Sequence, residues 1–211
     1  QWIPVHAGQD GAFWNGVNHV ILKEFHYEKP TPYFLDYTKR YTDSPFLIEL
    51  VKTENGYEAG RLVRANKLPR YKTQENGDWK FLIWDELSNE PRMPGGTVGH
   101  RWEEAGGKWN LEFKDTSTGE DISPRLTLIG DEGRPTEVIF REFGTDEVFK
   151  RNVPTRTIQT DDGPVVVTTI YDLLMSQFGV DRGLGGSYPT GYDDEDSSYT
   201  PAWQEKFSGV G

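Results

Sequence analysis

The residues with the most chemical potential lie in one short segment, 6–11, which reads His-Ala-Gly-Gln-Asp-Gly. We expect a loop there, between the end of a strand at 2–5 and a helix over 11–25. A helix N-terminus carries unpaired N–H groups and partial positive charge, which attract phosphates. Gly8 would let the backbone approach a dinucleotide, and the Asp10 carboxylate would accept the paired N–H donors of a guanine edge. The alternative, which chemistry alone favours, is that Asp10 only caps the helix.

Other groups with possible metal chemistry lack the spacing that a metal site needs. The four histidines, His6, His19, His26 and His100, show no pair at i, i+4, and we expect structural or surface roles. His6 is the exception, because it lies in the candidate loop. The acidic run 193–196 lacks the pattern of a calcium loop, so we expect a solvated loop and no metal. The glycine-rich stretch 183–186 lacks the lysine and hydroxyl residue of a phosphate-binding loop.

The seven tryptophans suggest an alternative class, a non-catalytic, aromatic-rich β module that binds glycans or a partner protein. Trp79 and Trp84 would face opposite sides of one predicted strand. Trp102 and Trp109 flank a glycine turn and would pack across a hairpin. Aromatic residues in strands more often pack in a core, which favours the structural interpretation.

Composition excludes several functions. The chain has 211 residues, enough for one large or two small domains. A net charge of -11 argues against nucleic-acid binding, which needs a basic face. Because there are no cysteines, this chain alone cannot hold an iron–sulfur cluster, a thiolate zinc or a disulfide. The sequence shows no apolar run of membrane-spanning length, no visible signal peptide and no nucleophile elbow.

Hydrophobic periodicity predicts an α+β fold, with helices at both ends of a strand-rich centre. The pattern divides the chain into a strand–loop–helix segment at 1–45, a strand-rich region at 46–168 and a helical return segment at 169–211. The predicted helices cover 11–25, 31–41, 170–178 and 200–209. The predicted strands cover 46–51, 57–63, 79–84, 109–113, 125–129, 137–140, 156–159 and 165–168, with a hairpin turn at Asn55-Gly56.

Three blocks of sequence carry a family resemblance. They are 8–25 with 36–37, 40–43 and 45, then 99–102 with 107–112, and finally 169–174 with 192–194 and 199–205. These blocks resemble the catalytic alpha subunit of respiratory nitrate reductases and nitrite oxidoreductases, in the molybdopterin oxidoreductase (DMSO reductase) family. They occur in the family's order and spacing, and together they are specific. The likeness is weakest at 53–94 and 113–164.

The resemblance implies an internal segment of a catalytic subunit that interconverts nitrate and nitrite by oxygen-atom transfer. It also implies that 1–45 is the end of an α/β cofactor-binding unit and that 46–168 is an insertion. The cofactors would be molybdenum bis(molybdopterin guanine dinucleotide) and a 4Fe-4S cluster, whose ligands would lie upstream of Gln1. The protein partners would be an iron–sulfur electron-transfer beta subunit and a membrane or haem gamma subunit, and the substrate would be a small oxyanion. The complex would be membrane-associated, on either the cytoplasmic or the periplasmic face. The segment alone is expected to be inactive.

Within that resemblance, the family's cofactor motif, Gln/Gly-Thr-Asp, maps onto Gly8, Gln9 and Asp10, where the aspartate would bind the guanine end; His6 would lie beside them. The sequence departs from the family pattern here. Gln9 replaces the hydroxyl residue, Gly11 replaces alanine, and bulky aromatic residues follow. A perchlorate, chlorate or selenate reductase of the same family therefore stays an alternative.

Overall fold

The computed structural model describes residues 2–96, 110–130 and 132–211. Helices and several sheets within these ranges confirm the predicted α+β class. His100, Trp102, Trp109 and their predicted hairpin lie outside the described residues. The helices are α1 (Asp10–Ile21), which continues as a π-helix (Leu22–Glu28), α2 (Pro32–Tyr41), α3 (Ile170–Gln177) and α4 (Pro201–Ser208). The strands are β1 (Leu47–Thr53), β2 (Gly56–Leu62), β3 (Ile83–Asp85), β4 (Glu90–Arg92), β5 (Pro94–Gly96), β6 (Leu111–Asp115), β7 (Arg134–Arg141), β8 (Val148–Thr160) and β9 (Gly163–Thr169).

Threonine caps set the start of three helices. Thr31, Thr169 and Thr200 each accept a hydrogen bond from the backbone N–H three residues later. This side-chain acceptor satisfies one of the N–H groups that a helix N-terminus leaves unpaired. Proline at the first position of α2 and α4 fits the same pattern, because its missing N–H is not needed there. These local signals confirm the predicted helix starts.

Five strands close into a barrel in the order β1, β2, β7, β8, β9. The predicted Asn55-Gly56 turn joins β1 to β2, and β9 returns to pair antiparallel with β1 through Leu47 and Thr169. Strands β2 and β7 meet in parallel at Tyr57. Closure protects these strands from exposed edges, which would invite aggregation. Leu173 of α3 packs into an apolar cluster with barrel residues, so the helix is joined to the barrel.

Two short two-stranded antiparallel sheets lie beside the barrel, β3 with β4 and β5 with β6. Tyr71 is fully buried between them and the barrel residues of the largest apolar cluster. Its hydroxyl donates to the Asp115 carboxylate and accepts from the Met93 N–H at 3.2 Å. Burial raises the pKa of Tyr71 to about 12, so the phenol keeps its proton as the donor to Asp115.

Three strand predictions are wrong wholly or in part. Residues 2–5 form no strand, since the Val5 N–H donates to the nearby Ile3 carbonyl. Residues 125–129 form none either, because their backbone donors bind side chains and, at Arg125, only the Trp84 carbonyl of β3. For example, the Leu128 N–H donates to Asp172 at 2.8 Å. Of the strand predicted at 79–84 only the end is a strand, because Trp79 closes a turn on the Asn76 carbonyl.

The helical and strand regions follow one another along the chain. Helices α1 and α2 precede the barrel, and α3 and α4 follow it. The division into 1–45, 46–168 and 169–211 stays a prediction. Among the helices in the described ranges, none has the length and apolar character that a membrane crossing requires.

Candidate functional site

The loop at 6–9 is an open turn that leads directly into α1. The Gln9 N–H donates to the His6 carbonyl at 3.0 Å and closes the turn. Gly8 adopts φ +79°, a left-handed conformation that favours glycine, and no atom lies within 4 Å of the position a Cβ would occupy. The loop backbone therefore presents an open surface, with the first N–H groups of α1 next to it.

Asp10 lies one residue later than the sequence predicts for a cap. The N-cap position is Gln9, whose side chain makes no capping bond, and Asp10 is the first residue of the helix. The cap interpretation of Asp10 is therefore wrong. Its exposed carboxylate lies in the first turn, where the helix dipole stabilises a negative charge.

His6 lies beside this loop and is bound to the end of α4. Its backbone N–H donates to the Ser208 carbonyl at 2.9 Å, and its Nδ1 lies 3.0 Å from the Phe207 carbonyl. Since a carbonyl oxygen only accepts, this bond requires the proton on Nδ1. The structure thus brings all four predicted residues together, 6 and 8–10, but turns Nδ1 of His6 towards α4.

Helix α1 rests on α4, and small residues allow the contact. Ala12 is fully buried against Tyr199 and Trp203. A Cβ added at Gly16 would lie 2.6 Å from Cγ of Gln204, so the two helices meet closely at this glycine. The position of the candidate loop therefore depends on α4.

Gly11 lies close to Phe143. A Cβ at residue 11 would lie 2.8 Å from Cζ of the Phe143 ring, which also packs edge-on against Trp203. The start of α1 therefore contacts a bulky side chain from the loop after β7.

Two buried side chains bind the C-terminal end of α3. Nδ1 of His19, on α1, lies 2.5 Å from the Phe178 carbonyl. Arg151, on β8, donates to the carbonyls of Ser176 and Gln177 at 2.6 and 3.0 Å. Burial lowers the pKa of His19 and lowers that of Arg151 to about 10. His19 is therefore a neutral structural donor that fixes α1 against α3.

A buried ion pair at the start of α3 was missed by the sequence analysis. Asp172 is fully buried and accepts from Arg182 Nη1 at 2.6 Å, from the Leu128 N–H at 2.8 Å, and from Thr127 Oγ1 at 2.6 Å. Thr169, the N-cap of α3, adds a bond at 3.0 Å. The spacing of Thr169 and Asp172 is that of a capping box and signalled the local half of this arrangement. Its distant partners have no such signal.

The acidic loop 193–196 is held by its own hydrogen bonds. The Asp194 carboxylate accepts from the Thr190 N–H at 2.9 Å and from the Ser197 N–H at 3.1 Å. The bond from the Thr190 N–H is the main cause that lowers the pKa of Asp194 to about 2. Among the described residues, no three His, Asp or Glu side chains are grouped as a metal site would require.

Known proteins similar to this chain are nitrate reductase alpha chains. The nitrate reductase alpha chain of Bacillus subtilis (strain 168) is 38% identical over 211 residues, which is 99% of this chain and 17% of that protein. The respiratory nitrate reductase 1 alpha chain of Escherichia coli (strain K12) is 39% identical over 223 residues, 99% of this chain and 18% of the relative. The respiratory nitrate reductase alpha chain of Bradyrhizobium sp is 38% identical over 212 residues, which is 99% of this chain and 20% of that protein. No family model matches the chain.

The fold and the loop define an α+β segment with a candidate nucleotide-binding turn at a helix N-terminus. This chain is related to the nitrate reductase alpha chains along nearly its whole length, and the predicted resemblance is confirmed. It spans about a fifth or less of the length of the curated relatives it matches, 17% to 20% in these three.

Proposed function

We propose that this chain is part of the catalytic subunit of a molybdenum oxidoreductase that interconverts nitrate and nitrite. In that subunit, the loop at 6–10 binds the guanine end of one molybdopterin guanine dinucleotide. The names of the relatives support the reaction class. The observation that carries the site is the open left-handed turn at Gly8 directly before α1, at the position of the Gly8-Gln9-Asp10 motif.

The residues present fit a guanine dinucleotide. Guanine offers the paired donors N1–H and N2–H₂, and the exposed Asp10 carboxylate offers two acceptor oxygens. The open space over Gly8 allows the backbone to approach a ligand, and the N-terminus of α1 favours a nearby phosphate. Asp10 binds the base edge in this arrangement, while the backbone at residues 8 and 9 approaches the ligand.

When bound, the molybdenum cofactor supplies the two-electron oxygen-atom transfer, and the protein supplies binding, orientation and electrostatics. This chain has no cysteine, so the cluster that the family implies takes its ligands from elsewhere in the subunit. Electrons would pass between the iron–sulfur centres and a beta subunit, towards the cofactor in nitrate reduction and away from it in nitrite oxidation. The contribution of residues 6–10 is to hold and orient one end of the cofactor.

Exposed aromatic side chains support a role within a larger subunit. Tyr33, Tyr37 and Tyr41 of α2 are 72%, 48% and 54% exposed at a spacing of four residues, so they share one helix face. Clusters of exposed apolar residues usually mark an interaction surface. Further exposed aromatic residues of the N-terminal helical region are Trp14, Phe25, Tyr27 and Phe34. We propose that the tyrosine face of α2 packs against another part of the subunit.

The test replaces Asp10 in the full-length subunit and measures molybdenum and guanine nucleotide per subunit. Asp10→Ala removes acceptors whose charged hydrogen bonds contribute about 1.5–3 kcal/mol each, so cofactor affinity should fall tenfold or more. Because Asp10 is not the N-cap, the stability loss should be limited to its dipole interaction, about 0.3–1 kcal/mol. Asp10→Asn should also lower cofactor occupancy, because an NH₂ donor replaces one carboxylate oxygen and would face the N–H donors of guanine.

The control is Asp193→Ala, which removes an exposed carboxylate from the acidic loop and should leave cofactor content unchanged. Full molybdenum and guanine content in both Asp10 variants would show that Asp10 does not bind the cofactor.

A further inference from the structure

We propose that the C-terminal end of α4 holds the loop at 6–10 in its binding shape, and that Gly209 is a positioning residue for this loop. The inference rests on the proposed function for its consequence, cofactor binding. The contacts between α4 and the loop lie within this chain. They involve His6 and Gly209, which are far apart in the sequence.

Hydrogen bonds connect α4 to the loop in series. The carbonyls of Phe207 and Ser208 belong to the last turn of α4, where a helix leaves its acceptors unpaired. They receive Nδ1–H and the backbone N–H of His6 at 3.0 and 2.9 Å. The His6 carbonyl in turn accepts from the Gln9 N–H at 3.0 Å. The turn that contains Gly8 therefore begins at a residue fixed to α4.

Gly209 makes this contact possible. It ends α4 in the left-handed conformation, with φ +72°. A Cβ at this position would lie 2.5 Å from both Cε1 and Nε2 of His6, so the imidazole lies directly against the glycine. Any larger residue at 209 would displace the ring, and with it the Nδ1 bond to α4.

The end of α4 is itself fixed by buried polar bonds. Oγ of Ser208 donates to Oε1 of Gln204 at 2.5 Å, and Nε2 of Gln204 donates to the Val210 carbonyl at 2.6 Å. Ser208 is fully buried. Movement of the α4 end would break this network, so the end is a stiff support and the loop follows its position.

Gly183 offers a matched control for Gly209. Its φ is +76°, nearly the same left-handed conformation, but no atom lies within 4 Å of its Cβ position. Alanine at either position therefore meets the same backbone strain. Only alanine at 209 meets the His6 ring. A difference in hydrogen exchange between the two variants therefore measures the effect of the His6 contact, because the cost of the left-handed backbone is the same in both.

The experiment compares Gly209→Ala with Gly183→Ala in the full-length subunit. Hydrogen exchange of the amides at 8–13 is measured in cofactor-free protein, and molybdenum and guanine content in protein expressed with cofactor. Loss of the anchoring bonds should speed exchange at Gln9 by about tenfold or more in Gly209→Ala, with no change in Gly183→Ala. Equal exchange in the two variants would overturn the positioning role.

His6→Ala provides a second route should Gly209→Ala fold poorly. It removes the ring and the Nδ1 bond, so exchange at Gln9 should rise, and adding Gly209→Ala should then have little further effect. If the two substitutions raised exchange at Gln9 additively, this result would contradict a shared contact between His6 and Gly209. If exchange rises but cofactor content stays full, α4 supports the loop and the proposed cofactor role of the loop fails instead.

Discussion

Replacing Gly16 with alanine probes the close approach of α1 and α4 that positions the candidate loop. A Cβ at this position would lie 2.6 Å from Cγ and 3.3 Å from Cβ of Gln204. Gln204 is buried, and its side-chain amide bonds at both ends, to Ser208 and Val210. The side chain can therefore move aside only by giving up these bonds.

Two opposing effects set the magnitude of the change. Alanine is more favourable than glycine inside a helix by about 0.8–1 kcal/mol. Overpacking a tight contact costs about 1–3 kcal/mol, and each hydrogen bond lost by Gln204 costs about 0.5–1.5 kcal/mol. The collision therefore outweighs the helix preference, and Gly16→Ala should lower the free energy of unfolding by about 1–3 kcal/mol.

Gly11→Ala is the control in the same helix. Its added methyl meets only the ring end of Phe143, which is 43% exposed and can move towards solvent by loosening its edge-on contact with Trp203. This variant should be neutral or more stable by up to about 1 kcal/mol. Equilibrium urea unfolding of the chain compares the two variants. If Gly16→Ala were as stable as Gly11→Ala, the close helix contact would be refuted.

Three further predictions concern the buried ion pair, acid stability and activity. Asp172→Ala leaves Arg182 buried without its carboxylate, so urea unfolding should show a loss of about 3–5 kcal/mol; a loss below about 1 kcal/mol would contradict the role of the pair. Burial lowers the pKa of His19, so the unfolded state binds the proton first, and stability should fall as the pH drops below about 6.5. His19→Asn keeps an N–H donor for the Phe178 carbonyl and should flatten this dependence, and an unchanged slope would contradict the assignment. The isolated chain should catalyse no nitrate reduction or nitrite oxidation, and measurable nitrate reduction with reduced viologen, or nitrite oxidation with an electron acceptor, would contradict this.

Local signals allowed the sequence to predict much of the secondary structure. The caps at Thr31 and Thr200, each followed by proline, predicted two helix starts, and Asn55-Gly56 predicted the β1–β2 turn. Each of these signals acts within a few residues through a side-chain acceptor or a required backbone angle. Structure that depends on such local interactions can therefore be predicted from the sequence.

Features that depend on distant partners could not be predicted in this way. Closure of the barrel pairs Leu47 with Thr169, across more than half of the chain. The segment 125–129 has the alternating apolar residues of a strand, yet its Leu128 N–H binds Asp172 instead of a neighbouring strand. Nothing within the segment itself distinguishes the two outcomes.

The candidate site shows the same division. The sequence predicted a loop at 6–9 directly before a helix, and the structure has it, with Gly8 in the left-handed conformation. The cap position was misplaced by one residue, because the loop closes through Gln9 on His6 and the helix begins at Asp10. The support of His6 by α4 joins residues about 200 positions apart, and no local pattern signals it.

A structure of the full-length subunit with its cofactor bound would show directly whether the loop at 6–10 binds guanine. We predict that the Asp10 carboxylate oxygens lie within about 3.2 Å of N1 and N2 of one guanine, at hydrogen-bond distance, with Gly8 facing the nucleotide. A guanine bound by another loop, with Asp10 facing solvent, would contradict it.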